Sequence, residues 1–411
     1  MNLERQARRR GRVLHVSRVW GSHHGGSIYS RGLVEELIAR GWDVTVLAEQ
    51  FLSRFKSGQE LRLRAFFRRE PWTWLGRIWE IWNLFRLTVR EPRPLIIVQG
   101  DLPRITYVLL QRVAPLMFIR QDGILTCPGN NRFLRRSRSI CAKPAGFSCL
   151  LEHRTEGCMG QISLWRRAGR VVLRIRDRIL LRCIRHFVTS SQYLGRIHGR
   201  PARVLYPPLM TGQRDGVRPG TSALHARDMH RLVFCGRLEQ VKGAGDVISI
   251  LSLMPKEYHL EILGDGPERE RLARLVDELE LTPRVAFRGR VDGPTRDRVL
   301  ASAGVLLMPS LCDEAFGMAG IEALAQGTPV VAYDVGGISE WCRDRAGVLA
   351  PCGDVQAAAT AVREMCEDAM RWTECSCAAR RVAELFAQGR FAREFNAALD
   401  ETLGNPEILK S

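Results

Sequence analysis

Short apolar segments alternate with longer segments of helical periodicity along this chain, and the alternation predicts strands and helices in turn. In the first half, the predicted strands are 12–17, 41–48, 95–99, 116–120, 186–191 and 203–206. After a stretch rich in Pro and Gly the pattern starts again, with predicted strands at 232–236, 259–264, 284–289, 304–309 and 329–333. Strands that alternate with helices usually pair in parallel. The sequence therefore predicts an α/β protein with two Rossmann-like, doubly wound parallel-sheet domains.

The Pro- and Gly-rich stretch also defines the predicted domain boundaries. We expect an N-terminal domain at 1–205, a linker at 206–220, a second domain at 221–389 and a C-terminal helix at 390–411. A chain of 411 residues is long enough for two domains of ordinary size. Its apolar content of 45% is that of a globular protein, which excludes a mainly disordered chain.

Glu314 and Glu322 follow the apolar segment 304–310, which is typical of a buried strand. Glu314 falls on the loop after this strand, and Glu322 falls about one turn into the next helix. In open α/β sheets, ligands bind at the carboxyl ends of the strands. Two carboxylates there can accept hydrogen bonds from a polyhydroxylated ligand, while backbone N–H groups at the helix start hold its anionic part. For the spacing alone, a helix with solvated acidic residues remains the alternative.

The block 309–331 resembles the Glu-x7-Glu motif of the family 4 retaining glycosyltransferases, which have the GT-B fold. The residues that carry the resemblance are Glu314, Glu322, 316–318 (Phe-Gly-Met), 327–330 (Gly-Thr-Pro-Val), 336–337 (Gly-Gly) and Glu340. The resemblance implies two Rossmann-like domains that face each other across a cleft, the first binding the acceptor and the second a nucleotide-sugar donor. It also implies that the helix at 390–411 crosses back to the first domain.

Arg237 and Lys242 flank a predicted tight turn after the first strand of the second domain. Two cations at this edge of the sheet can bind a diphosphate and neutralise the charge that develops as a sugar–phosphate bond breaks. Only five of the 62 basic residues are Lys, so solvation alone is a weaker explanation for a Lys here. The resemblance assigns this pair to phosphate binding, and two plain surface charges are the alternative.

The resemblance implies roles for the other candidate residues as well. Glu314 contacts the transferred sugar and Glu322 binds the ribose hydroxyls. The predicted catalytic residues are Glu314, Asp122, Arg237 and Lys242. The predicted donor-binding residues are Arg237, Lys242, Glu322, Phe316, Gly317, Met318, Gly25, Gly26 and Arg288. At Gly25 and Gly26 the lack of side chains allows a close approach of phosphate or acceptor to the backbone, with a plain flexible loop as the alternative.

The sequence departs from the family at 120–123. Family members often carry His-Asp after this strand, whereas Gln121 occupies the His position here and Asp122 the Asp position. Gln carries no charge and relays no proton, although its amide can donate a hydrogen bond to a sugar hydroxyl. In retaining enzymes of this fold, the leaving phosphate is thought to help deprotonate the acceptor, so activity does not require that His.

Metal and cofactor chemistry are not expected at the catalytic centre. No Asp-x-Asp motif is placed to bridge a diphosphate, so we expect metal-independent catalysis with no cofactor and a UDP- or GDP-linked sugar as donor. Cysteine is concentrated elsewhere, at Cys127, Cys141, Cys149 and Cys158. These four residues can form a structural zinc site, although they lack a Cys-x2-Cys pair, and scattered thiols in an inserted loop are the alternative.

The excess of basic over acidic residues is confined to the first half of the chain. Residues 1–200 contain 37 Lys and Arg against 14 Asp and Glu, whereas residues 201–411 contain 25 against 30. This asymmetry indicates an anionic surface as a partner of the first domain. No nucleic-acid motif accompanies the charge, which favours an anionic membrane surface and excludes nucleic acid as a partner.

Two segments have the composition of an interfacial helix. In 64–86, Trp79, Trp82 and Phe85 lie at helical spacing, and the neighbouring basic residues are Arg68, Arg69, Arg77 and Arg86. The second, Arg-rich segment is 165–185. A Trp stripe packed on the sheet is the alternative for the first segment. With no apolar stretch near the roughly 20 residues of a membrane span and no signal-peptide core, we expect a cytoplasmic, peripherally membrane-bound protein.

These features together predict a retaining glycosyltransferase that transfers a sugar from a nucleotide-diphosphate sugar to a glycan. A lipid-linked, lipopolysaccharide-type or exopolysaccharide-type acceptor accounts best for the basic first half. The alternatives are another GT-B enzyme, such as a nucleotide-sugar epimerase or a phosphorylase, and a catalytically weak subunit that binds a glycan lipid.

Overall fold

The structure, a computed structural model, describes most of the chain, and the chain divides into two compact units. The described residues are 11–20, 25–51, 62–65, 74–89, 92–99, 104–123, 126–129, 132–160, 162–209 and 227–404. Unit 1 contains Met1–Leu125, Val172–Met210 and Gln388–Ser411. Unit 2 contains Thr126–Val171 and Thr211–Ala387. Most of the predicted linker and the positions of Arg68 and Arg69 lie outside the described residues.

Strands and helices alternate through both units. The strands are β1 (Arg12–Trp20), β2 (Asp43–Phe51), β3 (Arg62–Ala65), β4 (Leu95–Val98), β5 (Leu116–Arg120), β6 (Phe133–Leu134), β7 (Ser139–Ile140), β8 (His186–Thr189), β9 (Arg203–Val204), β10 (Asp228–Cys235), β11 (His259–Leu263), β12 (Val285–Gly289), β13 (Ala303–Met308), β14 (Val330–Tyr333) and β15 (Gly347–Ala350). The helices are α1 (Gly25–Ala39), α2 (Trp74–Thr88), α3 (Arg104–Leu110), α4 (Ser148–Glu156), α5 (Leu164–Leu181), α6 (Gln192–His198), α7 (Ala244–Ser252), α8 (Arg269–Glu278), α9 (Gly293–Ser302), α10 (Met318–Ala325), α11 (Val355–Cys366), α12 (Ala369–Glu384) and α13 (Gln388–Leu403).

Unit 1 contains a seven-stranded parallel sheet in the order β3-β2-β1-β4-β5-β8-β9. Both faces are covered, because successive residues of its strands enter different clusters of apolar side chains. Val13 of β1 packs in a cluster with Leu33 of α1, whereas Leu14 packs in a second cluster with Tyr107 of α3. Burial on both faces explains why these strands have continuous apolar sequences.

The last described helix, α13, belongs to the core of unit 1. Its Phe395 and Leu399 are buried in the same cluster as Val13 and Leu33. Phe391 meets the ring of Tyr29 edge to face, with the ring centroids 5.6 Å apart. The C-terminal end of the chain therefore completes one apolar layer of unit 1.

Unit 2 contains a six-stranded parallel sheet in the order β12-β11-β10-β13-β14-β15. Its central strand β13 is buried along its whole length. The sheet of each unit is parallel and doubly wound, so the predicted fold class, α/β with two Rossmann-like parallel-sheet domains, is confirmed.

One segment packs in a unit other than the predicted domain. Residues 126–171 were expected within a domain at 1–205, but they pack with unit 2. Two long-range ion pairs join this segment to the rest of unit 2. The Arg132 guanidinium lies 3.1 Å from Asp313, and that of Arg138 lies 2.6 Å from Asp246. This segment contains the antiparallel hairpin β6–β7 and helix α4.

Helices α2 and α5 contain the aromatic and Arg-rich segments. On α2, Leu84 is fully buried, whereas Trp82 is 56% exposed and has the Arg86 guanidinium 5.5 Å from its ring centroid. Trp165 of α5 is 86% exposed, and α5 also exposes Leu164, Val172, Leu173 and Ile179. In the described part of the chain, no helix combines the length and apolarity that a membrane span needs.

Candidate functional site

Loops from three neighbouring strands meet at the carboxyl edge of the sheet of unit 2. Two glycines allow them to touch. Gly243 has a φ of +70°, and a Cβ there would lie 1.8 Å from the Pro309 carbonyl oxygen. Gly336 has a φ of +61°, and a Cβ there would lie 2.1 Å from the Glu314 carbonyl oxygen. The loops after β10, β13 and β14 therefore pack backbone to backbone, where no other residue fits.

Lys242 and Glu314 form a contact between two of these loops. Lys242 Nζ lies 2.5 Å from Glu314 Oε1, and the Ser310 hydroxyl donates to the same oxygen at 2.6 Å. Burial would raise the pKa of Glu314, but the Lys242 ammonium and the Ser310 hydroxyl hold that pKa below its usual value. Burial would likewise lower the pKa of Lys242, and the Glu314 carboxylate raises it instead. Both groups are therefore charged at neutral pH.

Arg237 lies on the same loop as Lys242 and is more accessible. Its side chain is 58% exposed, and Nη2 lies 2.9 Å from the Glu239 carboxylate. The positive charge of Arg237 lowers the pKa of Lys242, which places the two cations within electrostatic range of each other. One exposed and one half-buried cation at the edge of a parallel sheet form a site that can bind an anion.

Glu322 lies on helix α10, and its carboxylate is buried against Arg296 of α9. Arg296 Nη1 lies 2.8 Å from Glu322 Oε1. Burial raises the pKa of Glu322 to about 7, because the loss of water outweighs the attraction of Arg296, and the Asp297 carboxylate adds to the rise. Glu322 also raises the pKa of Cys235, the last residue of β10, so its carboxylate lies near the edge of the sheet where the loops meet.

The titration of Glu322 predicts a specific pH dependence of stability. The raised pKa means that folded unit 2 binds a proton that the unfolded chain releases near pH 4.5. The stabilisation is therefore complete below that pH and is lost as the pH rises to about 7. Its size is on the order of 3 kcal/mol.

We expect the free energy of unfolding of Glu322→Gln to lack this contribution. Urea titrations between pH 5 and 8 measure it as the difference between the wild type and the variant. A difference that does not change over this range would contradict the raised pKa.

The loop 316–318 is held by a buried tryptophan. Trp341 Nε1 donates a hydrogen bond to the Phe316 carbonyl oxygen at 2.5 Å, and the Trp341 side chain is fully buried. The next residue, Gly317, is the N-cap of α10, which begins at Met318. The N–H groups of the first turn of α10 therefore start at this loop, beside Glu314 in the sequence.

Arg288 has a partner within the sheet. Its Nε lies 3.0 Å from the Glu261 carboxylate, which is buried on β11, and its side chain is 55% exposed. The Arg288 side chain thus forms an ion pair within the sheet. Its contribution to the edge of the sheet is the backbone at the end of β12.

Three predicted residues lie in unit 1. Gly25 and Gly26 are the first residues of helix α1. Asp122 follows β5, and its carboxylate accepts a hydrogen bond from the buried Arg120 guanidinium at 2.5 Å. The Asp122 carboxylate is 46% exposed. It is therefore accessible and already holds a counter-ion.

Sequence reasoning missed several residues that shape the site in unit 2. Ser310 hydrogen-bonds to Glu314, Arg296 pairs with Glu322, and Asp313 pairs with Arg132. No sequence pattern distinguishes Arg296 or Arg132 from the many other arginines of this chain. Ser310 could have been predicted from the sequence, because it ends the apolar segment immediately before the Glu314 loop.

Part of the chain matches a known protein family. Residues 223–382, which lie in unit 2, match the model of the family Glycosyl transferases group 1. The matched residues make up less than half of the chain.

Two curated relatives match this chain over segments of similar length. The chain is 34% identical over 139 residues to a 2-deoxystreptamine glucosyltransferase of Streptomyces kanamyceticus, covering 33% of this chain and 36% of the relative. It is 36% identical over 134 residues to the lipopolysaccharide core biosynthesis glycosyltransferase LpsE of Rhizobium meliloti, covering 32% and 38%. The matches to these two relatives thus span only about a third of their length.

Solved structures extend the likeness to the whole fold. HepE of Anabaena, crystallised with UDP and glucose, superposes with a TM-score of 0.66 at 16% identity, covering 95% of this chain and 99% of HepE. At this identity the likeness shows the fold, which is the GT-B fold with its two Rossmann-like domains.

Proposed function

We propose that this protein is a retaining glycosyltransferase of family 4 that transfers a sugar from a nucleotide-diphosphate sugar to a glycan. The observation that carries the proposal is the half-buried Lys242–Glu314 contact, which lies near Arg237 at the carboxyl edge of the unit 2 sheet. One carboxylate of the Glu-x7-Glu motif, Glu314, therefore lies with Lys242 and near Arg237. The match of residues 223–382 supports the same reaction class.

Each residue of the site has a distinct part in the proposed reaction. Arg237 and Lys242 bind the diphosphate and neutralise the negative charge that grows on it as the bond to the sugar breaks. Glu314, held as a carboxylate by Lys242 and Ser310, accepts hydrogen bonds from hydroxyls of the transferred sugar. Glu322 accepts hydrogen bonds from the ribose hydroxyls of the donor.

The leaving phosphate is the base in this proposal. Gln121 stands where relatives of the family often have His, so no imidazole takes the acceptor proton at that position. The departing diphosphate oxygen takes the proton of the acceptor hydroxyl on the same face of the sugar, which retains the anomeric configuration. Asp122, accessible in unit 1, is proposed to orient the acceptor or the sugar.

The proposed acceptor is a lipid-linked, lipopolysaccharide-type or exopolysaccharide-type glycan. The name of the LpsE relative and the basic charge of residues 1–200 support this class of acceptor.

The test is a transfer assay with the full chain, UDP- and GDP-linked sugars, and lipid-linked glycans as acceptors. We expect acceptor-dependent release of nucleoside diphosphate and a product whose NMR spectrum shows the anomeric configuration of the donor. Turnover is expected to be the same with EDTA and with magnesium. Epimerisation of the donor without acceptor, or the absence of a thermal shift with every nucleotide tried, would reject the proposal; a saturating ligand at 100 times Kd stabilises by about 2.7 kcal/mol.

Peripheral binding to an anionic membrane is part of the proposal. Helix α5 and its C-terminal flank expose Trp165 and Ile179 together with four arginines, namely Arg166, Arg170, Arg176 and Arg182. Exposed apolar side chains among cations suit a headgroup interface, where each basic residue contributes about 1 kcal/mol.

We expect the protein to float with anionic vesicles at low salt and to dissociate as salt rises, since exposed charges are screened over about 8 Å at physiological ionic strength. Trp82→Ala/Trp165→Ala is expected to weaken flotation, whereas Met370→Ala, which removes an equally exposed apolar side chain from α12, is the matched control. Wild-type protein that ignores anionic vesicles at low salt would rule this binding out.

A further inference from the structure

Four cysteine side chains line a single cavity in the segment of unit 2 before α5. Cys127 precedes the hairpin β6–β7, Cys141 directly follows the hairpin, Cys149 lies in the first turn of α4, and Cys158 lies just beyond the end of α4. The four residues are spread over 32 positions of the sequence. The fold of this small segment therefore brings together thiols that have no close spacing along the chain.

The four cysteines act on one another electrostatically, which places them in one neighbourhood. Cys141 and Cys149 act on Cys127, and these three residues act on Cys158. Together with the shared cavity, this proximity indicates that the thiols can act as one group.

Backbone N–H groups donate hydrogen bonds to one of the sulfurs. The Gly129 N–H donates to Cys127 Sγ at 3.2 Å, and a backbone hydrogen bond from Arg132 acts on the same sulfur. Hydrogen bonds of this kind stabilise and tune thiolates that bind metals. A Cβ at Gly129 would lie 2.5 Å from the Cys158 carbonyl oxygen, so the loops of Cys127 and Cys158 are in direct contact.

We propose that Cys127, Cys141, Cys149 and Cys158 are the ligands of a thiolate-bound metal centre. Sets of four sulfur ligands are typical of zinc and of iron–sulfur clusters. On binding, each thiol releases its proton to solvent and the sulfur donates its electron pair to the metal.

The thiols are not yet grouped around a single point. Among the described residues, no three His, Cys, Asp or Glu side chains are grouped closely enough to hold an ion where they stand. The four thiols line one cavity, so a metal that binds there must draw their loops inward. His153 lies in the same segment but has another function, because its Nδ1 accepts the Met159 N–H at 3.0 Å.

The proposed centre is linked to the candidate donor site through one arginine. Arg132 Nε donates to the Cys141 carbonyl oxygen at 2.9 Å, and the same guanidinium lies 3.1 Å from Asp313, the residue before Glu314. Asp313 and Arg132 are both largely buried. Since this consequence rests on the proposed function, loss of the metal is expected to weaken nucleotide binding by loosening the loop that carries Glu314.

Metal content tests the proposal directly. The full chain is purified without oxygen and without chelator, and its zinc, iron and acid-labile sulfide are measured per chain. We expect about one zinc, or about four iron with matching sulfide and a visible charge-transfer band. Cys127→Ser/Cys158→Ser is expected to lose the metal, and Cys183→Ser/Cys377→Ser, which changes two exposed cysteines elsewhere, is expected to retain it.

Protein without stoichiometric metal, or equal metal content in both double variants, would overturn the proposal. If Cys127→Ser/Cys158→Ser does not fold, the wild type decides instead: a tight chelator must then remove the metal and lower Tm, and zinc or reconstituted cluster must restore it. Nucleotide affinity is measured separately on metal-loaded wild type. A metal centre without nucleotide binding would reject the proposed function and leave the metal site standing.

Discussion

Lys242→Ala is expected to lower kcat/KM by a factor of about 30 to 1,000, which is about 2–4 kcal/mol of transition-state stabilisation. The substitution removes the cation that lies against Glu314 and that we propose to neutralise the leaving diphosphate. Lys256→Ala, which removes an exposed lysine from unit 2, is the matched control and is expected to leave kcat/KM unchanged. Steady-state kinetics with the nucleotide sugar identified by the transfer assay supplies the measurement.

The stability of Lys242→Ala separates catalysis from folding. Without the ammonium, only the Ser310 hydroxyl still opposes the effect of burial on Glu314, so the pKa of that carboxyl rises and unit 2 is destabilised. Adding Glu314→Gln removes the buried charge and is expected to recover much of that stability without recovering activity. A folded Lys242→Ala with wild-type kcat/KM would exclude Lys242 from the site.

The sheets follow from the sequence because their central strands are buried on both faces. The apolar segments at 95–99, 116–120 and 304–309 correspond to β4, β5 and β13, which are buried along their length. The sequence did not predict the short hairpin β6–β7 or two strands at the edges of the parallel sheets, β3 and β15. Their sequences, Arg-Leu-Arg-Ala and Gly-Val-Leu-Ala, are too short or too polar to distinguish from loops, since an edge strand has a neighbour on one side only.

Two long-range contacts could not be predicted from the sequence for a different reason. One joins residues 126–171 to the rest of unit 2, and the other pairs Glu322 with an arginine. Both depend on arginine side chains that meet carboxylates far away in the chain, Arg132 with Asp313 and Arg296 with Glu322. In a chain with 62 basic residues, no local pattern tells a buried arginine from a solvated one. By contrast, the sequence places Lys242 and Glu314 at the same edge of the sheet, because both follow strand ends, where parallel sheets bring distant residues together.

Arg296→Met is expected to destabilise unit 2, and by about 1.4 kcal/mol more at pH 8 than at pH 6, because at pH 8 the buried carboxyl of Glu322 is ionised in the wild type and loses its partner in the variant. Arg296 also lies 2.8 Å from Asp297, so part of the loss is independent of Glu322. The part that depends on Glu322 changes with pH. Below pH 7 the wild-type carboxyl is already mostly protonated and gains little from the guanidinium.

Above pH 7 the wild-type Glu322 ionises, whereas the variant, in which burial is unopposed, must keep it protonated. The destabilisation is therefore expected to increase by about 1.4 kcal/mol for each pH unit above 7 until the variant carboxyl ionises as well. Urea unfolding of wild type, Arg296→Met and Arg296→Met/Glu322→Gln at pH 6 and pH 8 measures this difference. The double variant is expected to lose the pH dependence. Arg298→Met, which removes the exposed arginine two residues along α9, is the control. If Arg296→Met is equally destabilised at both pH values, Glu322 does not titrate near neutrality, and its carboxylate is present throughout the range in which a donor would bind.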